Sequence, residues 1–392
     1  MGIMPLYGTS FGLLAAVGIL VVMLGLLLRR FKQPYLIGYI LIGVLMGDHG
    51  LGYIANNEMT VFMGEMGIIF LFFYIGMEIS LPEFIKQWKI ALWGTLAQIL
   101  ISVGIVLLIG RFFGWNTVRS VVLGFVIALS SSAVIIKLLA DKGLVNTKIG
   151  KDVLSILLAQ DIAIAPLLII TSFLGGEPES TLSIALKIIG GVLIILLIFY
   201  LYVNKCIRLP FNKSIKKDHE LQVFLALFFC FGGALLADLF GLSSALGAFV
   251  GGMVIHAAKS TEWIFDSLHS FRIIFVAVFF ISIGLQIDLV FIWDNMAVLS
   301  LVLLAVYTTN HFLNSAILKF FSNSWKEALI GGALLAQIGE MSFLICSTAY
   351  NSQIIMKYTY DFTLCLISLT LVISPFWIAF TEFAMEKIYK AQ

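Results

Sequence analysis

The chain has 392 residues, of which 61% are hydrophobic and 12% are charged, and its mean hydropathy is +1.06. This composition excludes a soluble globular domain, in which about a quarter of the residues are charged, and it indicates a polytopic membrane protein. The formal net charge of +2 gives no reason to expect a nucleic-acid partner.

Thirteen apolar stretches are predicted to cross the lipid bilayer. A spanning helix needs about 20 mostly apolar residues, and only helices or closed barrels satisfy their backbone groups in lipid. In chain order, the predicted spans cover residues 8–28, 34–52, 61–79, 89–112, 118–140, 151–174, 181–203, 219–239, 242–258, 271–291, 296–321, 326–350 and 360–386. The sequence therefore predicts an all-α membrane protein.

The basic residues indicate how these spans are oriented. Lys and Arg are concentrated in alternate connections, from Arg29 and Arg30 after the first span to Lys387 and Lys390 after the last. Because such residues are retained on the cytoplasmic side, we expect an outside N-terminus and a cytoplasmic C-terminus in a cell (inner) membrane. No positive charge precedes the first apolar run, which indicates a retained span rather than a cleaved signal peptide.

Small and polar residues interrupt the fifth span and the twelfth span. The first interruption runs from Ala128 to Ala133 and the second from Ala336 to Ser342. Broken helices in corresponding places of two halves are typical of secondary transporters, whose unwound backbone binds ions at the midplane. Small residues that permit close helix packing would explain the serines but not the glutamate. The residues predicted to line the breaks are Ser130, Ser131, Ser132, Gln337, Gly339 and Glu340.

The two breaks are seven spans apart, and this odd number inverts the second unit relative to the first. We therefore expect a single transmembrane domain made of inverted repeats, approximately 8–174 and 219–386, joined by residues 181–217.

A carboxylate lies near the middle of the sixth span. Asp161 follows Gln160 and precedes Pro166 by five residues. An ionisable group at this depth costs at least about 2.5 kcal/mol and usually marks an ion or proton path. The alternative is an Asp that is neutral or paired only for packing. Pro166 removes the hydrogen bond to the carbonyl of Ile162, which either frees an oxygen ligand or merely kinks the helix.

The sequence contains no pattern typical of an enzyme. Its four cysteines lack paired spacing and its five histidines are dispersed, so neither a disulfide framework nor a metal site is predicted. We expect no covalent cofactor.

Seven motifs, in this order, resemble the membrane domain of Kef-type potassium/proton antiporters of the cation:proton antiporter-2 superfamily, along essentially the whole chain. They are Pro-Tyr-Leu-Ile-Gly-Tyr at 34–39; Glu-Met-Gly at 65–67 with Gly-Met-Glu at 76–78; Ala-Leu-Ser-Ser-Ser-Ala at 128–133; Gln-Asp-Ile-Ala at 160–163; Gly-Leu-Ser at 241–243 with Leu-Gly-Ala-Phe at 246–249; Phe-Phe-Ile-Ser-Ile-Gly at 279–284; and Gln-Ile-Gly-Glu-Met-Ser-Phe at 337–343.

The resemblance implies an inverted-repeat antiporter fold with two crossed broken helices, assembled as a homodimer. It implies that Asp161 alternately holds a proton and a monovalent cation, and that the Gln160–Asp161 pair favours K⁺ over Na⁺. Two departures are notable. Asn310, followed by His311, stands where many relatives carry a lysine, and the chain stops where Kef proteins usually continue into a cytosolic nucleotide-binding domain. Either the chain is a natural short form, or a cytosolic regulatory domain or subunit lies outside it.

The function expected from these features is K⁺/H⁺ exchange by alternating access. Two alternatives remain open, Na⁺/H⁺ exchange and, in a different class, a potassium channel. A channel needs a filter of backbone carbonyls, and the sequence shows no such motif. Glu340 is expected to tune the field around Asp161 or to pair with a half-helix N-terminus rather than to carry the ion.

Overall fold

A computed structural model describes residues 6–30, 33, 35–55, 57–78, 88–145, 147–175, 181–204, 218–258, 262–321 and 324–390. All regular secondary structure in these ranges is helical. The predicted all-α fold class is confirmed.

The helices follow one another along the chain with short connections. They are α1 (Leu6–Arg30), α2 (Tyr35–Met46), α3 (Glu58–Glu78), α4 (Thr95–Phe112, entered through a π-helical turn Ile90–Gly94), α5 (Thr117–Ala128), α6 (Ser132–Asp141), α7 (Lys148–Leu174), α8 (Thr181–Asn204), α9 (His219–Leu239), α10 (Ser244–Ala257), α11 (Glu262–Gln286), α12 (Leu289–Asp294), α13 (Met296–Phe320), α14 (Trp325–Leu334), α15 (Met341–Asn351) and α16 (Lys357–Lys390).

Each predicted span coincides with one helix or with one pair of half-helices. In the described part, seven helices are long and apolar enough to cross a membrane, and α7 is an eighth that bends by 40° between Ile164 and Pro166. The fifth predicted span is the pair α5 and α6, and the twelfth is the pair α14 and α15. The interrupted spans are therefore broken helices.

The helices form two bundles. In the first, α3 packs against α10 and α11, α2 against α11, and α9 against α10. Glycines allow these helices to approach closely: a Cβ at Gly43 would lie 2.1 Å from the Ile281 carbonyl oxygen, and one at Gly252 would lie 2.0 Å from that of Phe73. The second bundle joins α4 to α5 and α13 to α14, with α7, α15 and α16 packed against them.

The packing repeats after seven spans. Span two (α2) corresponds to span nine (α10), and span three (α3) corresponds to span ten (α11). Accordingly, α2 packs against α11, and α10 packs against α3. In the same way, the α4–α5 pair corresponds to the α13–α14 pair. This is the pairing of an inverted repeat.

Residues 176–180 and 205–217 lie outside the described residues, as do several of the basic residues that predict the orientation, among them Lys32, Lys86 and Lys259. The limits of the repeats and the orientation therefore stay predictions.

Candidate ion-binding site at the helix crossing

The two helix breaks touch each other through their backbones. The Gly339 amide donates a hydrogen bond to the Leu129 carbonyl oxygen at 2.7 Å, and the Ser130 hydroxyl donates to the Leu335 carbonyl oxygen at 2.8 Å. A Cβ at Gly339 would lie 2.5 Å from the carbonyl of Ser130, so this contact requires glycine. The breaks therefore cross in the second bundle.

Groups from the second break and from neighbouring helices satisfy the last carbonyls of α5. A helix end leaves four carbonyls without an intrahelical partner, and each unsatisfied polar group in lipid costs several kcal/mol. The four contacts are Ser342 Oγ to the Val126 oxygen at 2.6 Å, Asn310 Nδ2 to Ile127 at 2.9 Å, Gln160 Nε2 to Ala128 at 3.3 Å and the Gly339 amide to Leu129 at 2.7 Å. Neighbouring helices thus hold the first break in place.

Each break also has one backbone amide held by the next span. The Ser130 amide donates to Gln160 Oε1 at 2.9 Å, and the Ile338 amide donates to Thr370 Oγ1 at 3.2 Å. Gln160 Nε2 in turn donates to Gln98 Oε1 at 2.7 Å. Both atoms of the Gln160 side-chain amide are therefore engaged in supporting the first break.

Gln98 was not among the predicted site residues. It is completely buried in the fourth span, and a glutamine in the middle of an apolar helix is the signal that could have indicated it.

The Glu340 carboxylate lies at the start of α6. It accepts hydrogen bonds from the hydroxyls of Ser131 at 2.5 Å and Ser132 at 3.3 Å. The Ser131 oxygen also accepts the Val134 amide at 3.3 Å, within the first turn of α6. A helix N-terminus favours negative charge, and the second break places its carboxyl group at the start of the half-helix of the first break.

Asp161 lies beside this network in α7. It is 9% exposed, whereas Gln160 is 1% exposed. Consecutive helical residues point about 100° apart, so Gln160 faces the break while the neighbouring Asp161 keeps some contact with the molecular surface.

Asn310 and His311, which are adjacent in the sequence, have different surroundings in the structure. Asn310 lies at the crossing, where its Nδ2 also donates to the Ala336 carbonyl oxygen at 3.3 Å. The His311 ring instead lies between α14 and α16, with Nε2 at 2.9 Å from the Leu329 carbonyl oxygen and Nδ1 accepting from Trp377 Nε1 at 3.2 Å. Only Asn310 joins the crossing.

Gln337 and Pro166 differ from the other predicted residues. Gln337 is completely buried, and within the described ranges neither atom of its side-chain amide has a hydrogen-bond partner. Pro166 has an exposed ring and lies at the bend of α7. The bend is consistent with the loss of one backbone hydrogen bond; a role for the Ile162 carbonyl as a ligand stays a prediction.

The donor atoms around the crossing are oxygens of carboxylates, hydroxyls, amides and backbone carbonyls. Oxygen ligands suit hard cations. Within the described ranges, no group of three or more His, Cys, Asp and Glu side chains could hold a metal ion.

Residues 16–383 match the family described as "Sodium/hydrogen exchanger, transmembrane". The chain belongs to this family. It is therefore a cation/proton antiporter, a transporter rather than an enzyme, in a multi-pass membrane fold.

Relatives in the family differ in the ion they are named for. The chain is 34% identical to "Iron transporter MagA" of Paramagnetospirillum magneticum, over 99% of the chain and 88% of the relative. It is 30% identical to "Na(+)/H(+) antiporter" of Enterococcus hirae, over 92% and 94%. It is 27% identical to "K(+) efflux antiporter 5" of Arabidopsis thaliana, over 90% of the chain and 63% of the relative.

The fold resembles that of a solved antiporter. The sodium proton antiporter MjNhaP1 from Methanocaldococcus jannaschii superimposes with a TM-score of 0.68, covering 97% of this chain and 99% of the other at 15% identity. The expected antiporter fold with two crossed broken helices is confirmed.

Proposed function

We propose that the chain exchanges a monovalent cation for protons by alternating access, with Asp161 binding one or the other. The observation that carries the proposal is that this buried carboxylate directly follows Gln160, whose side chain hydrogen-bonds the first of two crossed helix breaks. Ion sites of inverted-repeat transporters lie at such crossings. The single membrane domain would comprise the repeats 8–174 and 219–386.

Competition at one carboxylate couples the two ions. Asp161 holds a proton or a cation but not both, and it returns across the membrane only when one of them is bound. The bundle that contains the crossing would then move against the bundle of α2, α3, α9, α10 and α11, as repeats of other transporters do.

The neighbouring residues have supporting roles in this proposal. Gln160 positions the first break, since both its side-chain amide atoms are engaged there. Glu340 fixes the start of α6 through Ser131 and Ser132. Asn310 supplies a donor to one carbonyl of each break and carries no charge.

Potassium is the cation we propose, with sodium as the alternative. The Gln160–Asp161 pair and the likeness to K(+) efflux antiporter 5 support potassium. The likeness to an Na(+)/H(+) antiporter supports sodium. Because one relative is named an iron transporter, Fe²⁺ is also included in the test.

We also propose that the transporter is a homodimer in the cell membrane, with the N-terminus outside. The family resemblance supports the dimer. On α1, Phe11 is 78% exposed and Leu14 is 68% exposed, and these form an apolar surface that a second chain could cover.

Proton flux in proteoliposomes tests the function. Protein reconstituted with a trapped pH-sensitive dye is exposed in turn to K⁺, Na⁺, Li⁺, Rb⁺ and Fe²⁺. We expect K⁺ to drive proton movement and Asp161→Asn to abolish it, because the amide cannot bind a proton or provide a negative charge. Asp294→Asn, at an exposed position, is the matched control and should keep the wild-type rate.

Other results would contradict the proposal. Wild-type exchange by a well-folded Asp161→Asn protein would exclude this carboxylate as the carrier. Rapid K⁺ flux without proton movement would indicate a channel instead. Proton movement driven only by Fe²⁺ would show that Fe²⁺, and not a monovalent cation, is exchanged for protons.

A further inference from the structure

An apolar groove lies between the connecting helix α8 and the helices α9 and α10. Its volume is about 320 Å³, which is in the range of small-ligand sites. One wall is formed by Gly190, Leu193 and Leu197 of α8, and the opposite wall by Phe228, Gly232 and Leu236 of α9. The groove is separate from the helix crossing.

Glycines form the floor of this groove. A Cβ at Gly247 would lie 2.0 Å from the Gly233 carbonyl oxygen, and one at Gly251 would lie 2.2 Å from that of Phe229. These contacts bring α9 and α10 together along their backbones. In contrast, a Cβ at Gly232 would meet no atom within 4 Å, so this glycine leaves space beside α8.

The surroundings of the groove determine what can fill it. All residues that line it are apolar, and ordered water needs two to four polar partners. At the rim, Phe228 is 68% exposed, Leu236 59% and Leu193 50%, so the groove opens towards the lipid. The occupant is therefore apolar and enters from the bilayer.

An acyl chain suits the shape of this groove. A single chain is narrow enough to lie between α8 and α9, and it would gain van der Waals contacts with walls on both sides, the force that drives packing within membranes.

One end of the groove carries a basic residue. Lys187 lies one turn before Gly190, and its Cε would lie 3.1 Å from a Cβ at Gly241, next to Phe240 of the lining. Lysine side chains near helix ends extend their charge to the membrane interface. A phosphate linked to an acyl chain in the groove would meet this charge.

We propose that the groove is a binding site for a membrane phospholipid, with one acyl chain between α8 and α9 and the phosphate beside Lys187. α8 also touches α7, since a Cβ at Gly191 would lie 3.8 Å from Ile169 Cγ2. The acyl chain therefore completes the packing of the helix that adjoins both bundles. The proposal is independent of which ion is transported.

Native mass spectrometry of the purified full chain tests the site. Protein in mild detergent is offered a phosphatidylglycerol or a diacylglycerol with the same acyl chains. We expect wild type to retain the phospholipid, and Gly232→Leu to reduce this retention several-fold because the new side chain fills the groove. Gly104→Leu is the control, since a Cβ at Gly104 in α4 also meets no atom within 4 Å; it should retain lipid as wild type does.

Lys187→Gln tests the headgroup. It should lower phosphatidylglycerol retention to the level of diacylglycerol and leave diacylglycerol unchanged. Equal phospholipid retention by Gly232→Leu and wild type would overturn the site, and equal retention of both lipids by wild type would overturn the role of Lys187. The midpoint of thermal unfolding is measured for each variant and compared with that of wild type to exclude misfolding. If Gly232→Leu dissociates a dimer without losing lipid, the groove is instead a contact between copies.

Discussion

The two helix breaks touch each other but differ in length and in chemistry. The first is short, from the end of α5 at Ala128 to the start of α6 at Ser132, and serine hydroxyls and Gln160 stabilise it. The second is longer, from Leu334 to Met341, and it contains the carboxylate of Glu340. It also contains Gln337, whose side-chain amide has no hydrogen-bond partner in the described ranges.

This difference indicates a division of roles. The second break supplies a hydrogen-bond acceptor to the first, because Glu340 accepts from Ser131 and Ser132. The first break lies next to the carboxylate that we propose as the ion carrier. The two repeats thus share a helix break in the corresponding span, while the side chains at the breaks differ.

The largest effect is expected where the backbones touch. Gly339→Ala places a Cβ 2.5 Å from Ser130, so the breaks must separate and the Gly339–Leu129 hydrogen bond is lost. We expect little folded protein in size-exclusion chromatography and no exchange. Gly104→Ala, where a Cβ meets no atom within 4 Å, should behave as wild type. A folded, active Gly339→Ala protein would show that the breaks can cross at a greater distance.

An intermediate effect is expected from the residues that hold the two backbone amides. Gln160→Leu and Thr370→Val each leave a buried amide without its acceptor, at a cost of about 1–3 kcal/mol. Gln160→Leu also removes the donor to Ala128, so its midpoint of thermal unfolding should fall further. Thr308→Val is the control, since its exposed hydroxyl donates only to Leu304 in the same helix. Equal midpoints for both variants would contradict the greater dependence of the first break on Gln160.

The smallest effect is expected at the charge between the breaks. Glu340→Gln keeps the size of the side chain and an oxygen acceptor, and it removes a helix-terminus interaction of about 0.3–1 kcal/mol. We expect measurable exchange with a shifted pH optimum in the proteoliposome assay. Complete loss of exchange in a folded Glu340→Gln protein would make Glu340 an obligatory ion or proton site.

The sequence alone determined the membrane class, the positions of the spans and the places where two of them break. These features depend on local composition: a run of about 20 apolar residues forms a helix in lipid wherever it occurs, and a cluster of small and polar residues within the run marks a break. Asp161, Glu340 and the serines were predicted for the same reason, because a polar group at membrane depth is conspicuous along the chain.

The tertiary structure decided which of these residues meet. Ser131 and Glu340 are 209 positions apart, and Ser342 and Val126 are 216 apart, so no local pattern could pair them. It also directed Asn310 to the crossing and the adjacent His311 to Trp377, since neighbouring helical residues face different partners. The groove at α8 arises in the same way, because it exists only where three apolar helices fail to fill the space between them.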